Sequence, residues 1–272
     1  MNMHSQRTAI VTGASSGIGR ASAEALVRAG FTVFGTSRRT SNDGPDGVSM
    51  MICDVTDDAS VNSFVETVHS KTGRIDILVN NAGLGLIGGA EESSAAQAQA
   101  MFDVNVFGVI RMTNAVLPIM RKQRNGRIIN ISSVLGFIPA PFSALYSSTK
   151  HALEGYTESL DHELRAYAIR AILIEPAYTK TAFDQNGVLP DRPIPTYEIA
   201  RQRVATVIGE AMKTADDPRL VADVIVKAAT ATKPKNRYTV GKLASQLSLL
   251  RRFVPAFAFD KSLRKQLGLE QA

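Results

Sequence analysis

The chain has 272 residues, 44% hydrophobic and 21% charged, a balance that supports a substantial buried core and argues against extended disorder. Its formal charge is +6, yet the basic residues are scattered, with small clusters at Arg38-Arg39, Arg121 to Arg124 and Arg251-Arg252. No basic helix interleaved with aromatics accompanies them, so no nucleic acid is expected as a partner. The one cysteine, Cys53, excludes an internal disulfide and sits in an apolar run, where a buried, inert thiol in a reducing compartment is expected.

The opening "MNMHSQRTAIVTG" lacks the apolar core of a signal peptide. No run approaches the ~18 apolar residues of a spanning helix, and a cytoplasmic location is expected. "RTAIVTG", "FTVFGTS", "VSMMICD", "IDILVNN", "GRIINISS" and "IRAILIEP" each read as a buried strand. Residues 18–29 and 59–72 carry apolar side chains at helical spacing. The alternation predicts an α/β fold, a doubly wound parallel sheet with helices on both faces. "NRYTVG" reads as a late additional strand. After about residue 180, "AFDQNGVLPDRPIPTYE" is irregular and holds three prolines, as functional or mobile loops do. Residues 1–241 form one expected domain with a substrate loop at about 183–215. Residues 242–272 form a C-terminal extension: a helix, a Phe/Pro-rich break at 253–259, and a short amphipathic piece.

"AIVTGASSGIGRASAEAL" passes from a strand through a glycine-rich turn into a helix. Gly13, Gly17 and Gly19 let the backbone turn tightly and approach a pyrophosphate, whose charge meets the helix N-terminus. The spacing differs from the general dinucleotide fingerprint. Ser15, Ser16 and Ile18 share the turn. At the end of the second strand, Ser37 fills the position where an acidic residue would bind the ribose of NAD, and Arg38 and Arg39 follow. A guanidinium suits the extra phosphate of NADP. NADP(H) is therefore expected rather than NAD(H), against the plainer reading of a solvated basic loop.

Tyr146 and Lys150 are four positions apart, on one face of a helix. An unperturbed tyrosine titrates near ~10, too high for proton traffic near neutrality, and a neighbouring ammonium favours the phenolate. Hydride transfer to a carbonyl builds negative charge on oxygen, which hydroxyl donors stabilise without a metal.

"TGASSGIG", "CDVTD", "NNAG", "DVNVFG", "NISS" and "YSSTK", in this order, resemble the short-chain dehydrogenase/reductase family over roughly residues 7–182. "EPAYTKT" departs from the family pattern, with Ala177 where a glycine is usual. The resemblance implies a Rossmann-type single domain and four catalytic residues. Tyr146 is the acid in reduction and the base in oxidation. Lys150 holds the nicotinamide ribose and lowers the tyrosine's pKa. Ser133 donates to the substrate oxygen, and Asn105 holds a water linking Lys150 to solvent. Asp54, Val55, Asn81, Ala82 and Gly83 are expected on the adenosine side of the cofactor, and Ile174, Pro176, Thr179 and Thr181 on the nicotinamide side.

Leu84, Leu86, Val134, Leu135, Phe137, Phe142, Tyr178 and Phe183 are candidates for an apolar pocket wall or for core packing. As a wall they favour a hydrophobic alcohol or carbonyl substrate, steroid-, retinoid- or lipid-like. His4, His69, His151 and His162 lack metal-ligand spacing, and no metal is expected. The tail mixes Phe and Leu with Arg and Lys, leaving three roles open: peripheral membrane contact, a lid, or subunit packing in a homodimer or homotetramer. The alternative function is a non-catalytic NADP(H)-sensing protein; retention of all four catalytic residues favours the enzyme.

Overall fold

Short Ile- and Val-rich runs, bounded by glycine and polar turns, become seven strands in a computed structural model that describes residues 6–39, 44–181, 183, 187–267 and 269. They are β1 (Thr8–Val11), β2 (Thr32–Ser37), β3 (Val48–Ile52), β4 (Ile77–Asn80), β5 (Gly126–Ile131), β6 (Ile169–Pro176) and β7 (Arg237–Val240). All pair in parallel, in the order β3-β2-β1-β4-β5-β6-β7. The helices are α1 (Gly17–Arg28), α2 (Asp58–Thr72), α3 (Ala95–Phe102), α4 (Gly108–Gln123), α5 (Ala144–Leu164), α6 (Glu198–Lys213), α7 (Pro218–Thr230), α8 (Gly241–Phe253) and α9 (Ala256–Gln266).

Side chains alternate across each strand. Ala9 and Val11 join a core with Leu26 of α1 and Ile225 of α7, while Ile10 joins the opposite core with Phe64 of α2, Met112 of α4 and Leu160 of α5. Because both faces are covered, the central strands are mostly apolar, with Asn80 and Asn130 buried and hydrogen-bonded to each other. β3 is the exception among the expected buried strands. It lies at the sheet edge, and Ile52 is 58% exposed. β1 stands between β2 and β4. The strand order reverses there, opening a crevice at the carboxyl ends where doubly wound sheets bind ligands.

α3 runs into α4 through a π-helical turn, Asp103–Phe107. The resulting run, Ala95–Gln123, is long and apolar enough by length and composition alone to cross a membrane, a test that the core helix of a globular domain also passes. Met112, Val116 and Met120 on it pack into the sheet core.

α8 leaves β7 directly, and only Val254 and Pro255 separate it from α9, a shorter break than expected. Ala244 of α8 and Phe259 of α9 pack on Val134 and Ile138, and the Arg251 guanidinium donates to the Phe137 carbonyl at 3.2 Å. Residues 184–186, within the expected substrate loop, and 268 and 270–272, within the extension, lie outside the described residues.

Candidate active site

The turn from β1 into α1 is shaped by backbone need. Gly13 and Gly17 hold φ of 66° and 54°, left-handed values that side chains disfavour. Gly19 is required by space: a Cβ there would stand 2.2 Å from the Gly13 carbonyl oxygen and 2.5 Å from the Asn81 amide nitrogen. The Thr12 hydroxyl accepts from the N–H groups of Asn81 and Ala82 at 2.9 and 3.0 Å, and the Asn81 side chain donates to the Thr12 and Gly13 carbonyls. Ser16 heads α1 without a side-chain cap, leaving first-turn N–H groups to another acceptor. Thr181 lies against Gly17. Ser15 and Ile18 are half-buried in the same turn. A cradle that methyl groups would fill, facing an uncapped helix, fits a dinucleotide pyrophosphate.

Beyond it lie the ends of β2 and β3. Ser37 donates to the Arg39 carbonyl, and Arg38 and Arg39 are exposed. Asp54 accepts from the Thr56 N–H and hydroxyl at 2.9 and 2.8 Å. These bonds, with smaller help from Arg38 and Arg111, hold its carboxyl below the usual range. Asn81, Ala82 and Gly83 are half-buried at the end of β4. The Val55 side chain is buried in the core.

The chemistry-bearing groups come from three elements. α5 carries Tyr146 and Lys150, and the Lys150 ammonium lies 5.6 Å from the Tyr146 ring centre. The ammonium donates to the Ile131 carbonyl at the end of β5, at 2.7 Å. Burial pulls Lys150 down to about 8, against the opposing pull of the Glu154 carboxylate. Ser133, just beyond β5, accepts from the Leu135 N–H at 3.1 Å. Asn105 sits in the π-helical turn, a feature that often marks functional sites. Its Oδ1 accepts from Leu84 N–H at 2.8 Å, and its Nδ2 donates to the Leu84 carbonyl and the Thr149 hydroxyl. Asn105 thus pins the exit of β4 to α5.

The sequence model of the family described as short chain dehydrogenase matches residues 7–189. This chain belongs to that family. It is 37% identical to the 3-ketodihydrosphingosine reductase of Bacteroides thetaiotaomicron, covering 88% of this chain and 89% of the relative. A short-chain dehydrogenase from Streptomyces avermitilis has 32% identity and a TM-score of 0.80, covering 97% of this chain and 95% of that one. ElxO, solved with NADP bound, is 26% identical with a TM-score of 0.71, over 86% of this chain and 97% of its own. Other solved neighbours carry NADPH or NADH. The chain is an oxidoreductase of the short-chain dehydrogenase/reductase family with a single-domain Rossmann-type fold.

In this short-chain dehydrogenase the candidate pocket residues fall into two groups. Phe183 packs on Tyr146 with ring centres 5.9 Å apart, and Phe142 meets Tyr197 edge-on at 6.1 Å. Leu84 and Tyr178 are half-buried nearby in sequence to the site. Val134, Leu135 and Phe137 instead pack with the tail helices, and Leu86 is buried in a bridge with Val188. Ile174 is fully buried within β6 and belongs to the core. Pro176 ends β6, and Thr179 bridges to Asp216, which fixes the segment leading to Thr181.

Sequence reasoning missed Thr12, Thr149 and Glu92. Thr12 stood inside the quoted glycine motif, where a hydroxyl at a strand end was the available signal. Glu92 is fully buried. It accepts from Gly89 and Ile194 N–H groups at 2.7 and 2.9 Å and pairs with Arg201 of α6. Burial pushes its carboxyl up, but those partners outweigh it and leave it below the usual range. Nothing local announces the contact to Ile194 and Arg201, because they lie about a hundred residues away. His151 meets the Ser147 carbonyl at 2.9 Å, and His4 lies outside the described residues.

Proposed function

We propose that the dehydrogenase interconverts an alcohol and a ketone or aldehyde on a hydrophobic, lipid-, steroid- or retinoid-like molecule, with NADP(H) as cofactor. The carrying observation is the Lys150 ammonium beside the Tyr146 ring on one helix. NADP(H), when bound, supplies or accepts the hydride. Gly13, Gly17, Gly19 and Thr181 would cradle its pyrophosphate, and Arg38 would meet the ribose phosphate, with no carboxylate at Ser37 to repel it. Asp54 and Asn81 to Gly83 are assigned to the adenosine side.

Tyr146 donates the proton to the substrate oxygen in reduction and withdraws it in oxidation. The Ser133 hydroxyl donates to the same oxygen as negative charge builds there. Lys150 favours the phenolate left behind and holds the nicotinamide ribose. Asn105 keeps α5 in place beside the β4 exit, where a water would relay protons to solvent. Phe183 and Phe142 dry the approach. The name of the Bacteroides relative, 3-ketodihydrosphingosine reductase, supports the lipid-like choice.

Leu250, Phe253 and Phe257 on the tail are exposed beside Arg251 and Arg252, which supports peripheral contact with a membrane surface. A buried free Cys53 suits a cytoplasmic setting, and a homodimer or homotetramer is the assembly we assign.

The test is substrate-dependent NADPH oxidation across hydrophobic ketones, in wild type and Tyr146→Phe. Turnover in wild type and its loss in the variant is expected. Equal turnover in both would sink the mechanism, and tight NADPH binding without turnover would favour the sensing alternative.

A further inference from the structure

One helical turn past Lys150, α5 places Glu154 in the interior, 5% exposed. Glu154 is four residues from Lys150, so the two side chains share a face. Ser132, between Ile131 and Ser133, donates its hydroxyl to Glu154 Oε1. From β6, Glu175 arrives at the same spot, 2% exposed. From β7, one guanidinium nitrogen of Arg237 lies 2.5 Å from Glu154 Oε2 and 2.6 Å from Glu175 Oε1. The other side of that guanidinium reaches Glu158 at 2.9 Å. Two buried carboxylates therefore share one arginine, and Lys150 is the next cation along the helix.

The charges do not cancel within the arginine cluster alone. Glu154, Glu175 and Glu158 bring three carboxylates to one guanidinium. Like charges this close oppose one another's ionisation. Burial and the neighbouring Glu154 raise Glu175 to about 7, so Glu175 holds a proton below neutrality and releases it before Lys150 titrates. Burial also raises Glu154, against Ser132 and Arg237, which pull it down. A cleft of about 320 Å³, lined by Glu175, Arg237, Thr239, Arg251 and Arg252, opens this cluster to solvent. Glu175 can exchange its proton there, while Glu154 stays inside.

We propose that Glu154, oriented by Ser132 and Arg237 beside Glu175, is the counter-charge that keeps the buried Lys150 ammonium protonated. Glu154 is a positioning residue: it acts through Lys150 and touches neither substrate nor cofactor. The groups facing it are Lys150 and Glu158 on its own helix, Ser132 beyond β5, Glu175 on β6 and Arg237 on β7. Its effect on turnover rests on the proposed reaction, in which Lys150 works as an ammonium; its effect on Lys150 itself does not.

The signs follow from the cluster. Glu154→Gln removes a negative charge beside Lys150, and the lysine pKa falls. Glu175→Gln removes a carboxylate that meets Arg237 rather than Lys150 and leaves Arg237 to Glu154, so the lysine pKa moves less than in Glu154→Gln. The two variants, equal in shape to the wild type and each losing one carboxylate, therefore differ in how far they lower Lys150. A merely structural role would move neither, or move both alike.

The experiment labels the protein with lysine carrying carbon-13 at Cε and follows the Lys150 signal, assigned with Lys150→Met, from pH 6 to 11. The expected result is a wild-type midpoint near 8, a drop of roughly half a unit or more in Glu154→Gln, a clearly smaller drop in Glu175→Gln, and recovery toward wild type in Glu154→Asp. With an active ketone, the alkaline limb of kcat/KM shifts in the same directions. Unmoved midpoints, or equal shifts in both glutamine variants, overturn the proposal. Thermal melts show which variants are folded, and Glu154→Asp carries the test if Glu154→Gln is not. A wild type without turnover would end the reductase reading while the titration still decides the role of Glu154.

Discussion

The side-chain amide of Asn81, at the end of β4, donates to the backbone carbonyl of Gly13 at 3.2 Å. That bond closes the glycine turn from the β4 side, in the same space that a Gly19 Cβ would enter. Gly19→Ala must therefore displace backbone, and overpacking of this kind costs about 1–3 kcal/mol. A lower Tm is expected, together with weaker NADPH binding in a fluorescence titration. An unchanged melt with full NADPH affinity would show that the turn tolerates the methyl group.

Arg38→Ala separates the two nicotinamide cofactors. A charge-assisted contact to phosphate contributes about 1.5–3 kcal/mol, or roughly 10- to 100-fold in affinity. NADPH binding should weaken by that factor and NADH binding should not. Equal affinity for both in the wild type, unaltered by the mutation, would reduce Arg38 to a solvated charge.

Tyr146→Phe keeps the ring that packs on Phe183 and removes the hydroxyl. Loss of a general acid costs on the order of 10²- to 10⁴-fold in rate. The fall should appear in kcat, with NADPH affinity retained.

Glu92→Gln frees the segment from Ile194 to Arg201 that this carboxylate anchors. Its carboxyl is held below the usual range, so its contribution to stability is full above the unfolded value, roughly 4.3, and fades as pH falls through the lower folded value. The variant should melt lower than wild type at pH 7, and the gap should narrow below about pH 4. Limited proteolysis at pH 7 should cut the variant faster between residues 187 and 201. A gap independent of pH would mean that another group anchors the segment.

The sheet was legible because strands buried on both faces are written as apolar runs, and all seven expected runs pair. β3 shows where that signal stops. "VSMMI" reads as buried, yet an edge strand has the same composition and differs only in what lies beside it. Tyr146 and Lys150 were legible from a spacing of four. Glu154 extends that spacing by another four and went unread, because a glutamate on a helix is ordinarily solvated. Its partners, Glu175 and Arg237, come from β6 and β7, and only the sheet register, with Glu175 opposite Thr239, brings them together. Apolar residues after Ser133 were legible as buried, but whether they face a substrate or the tail depends on packing that no local pattern encodes.

Arg237 belongs to the last strand to be synthesised, and its place beside β6 has a consequence for how the chain matures. Translation delivers α5 and β6 long before β7, and parallel pairing across such distances is slow. Until β7 docks, Glu154 and Glu175 meet without their guanidinium, and closing both carboxylates away from water is costly. The nascent chain thus acquires the final surroundings of Lys150 only once Arg237 has been joined and β7 has docked.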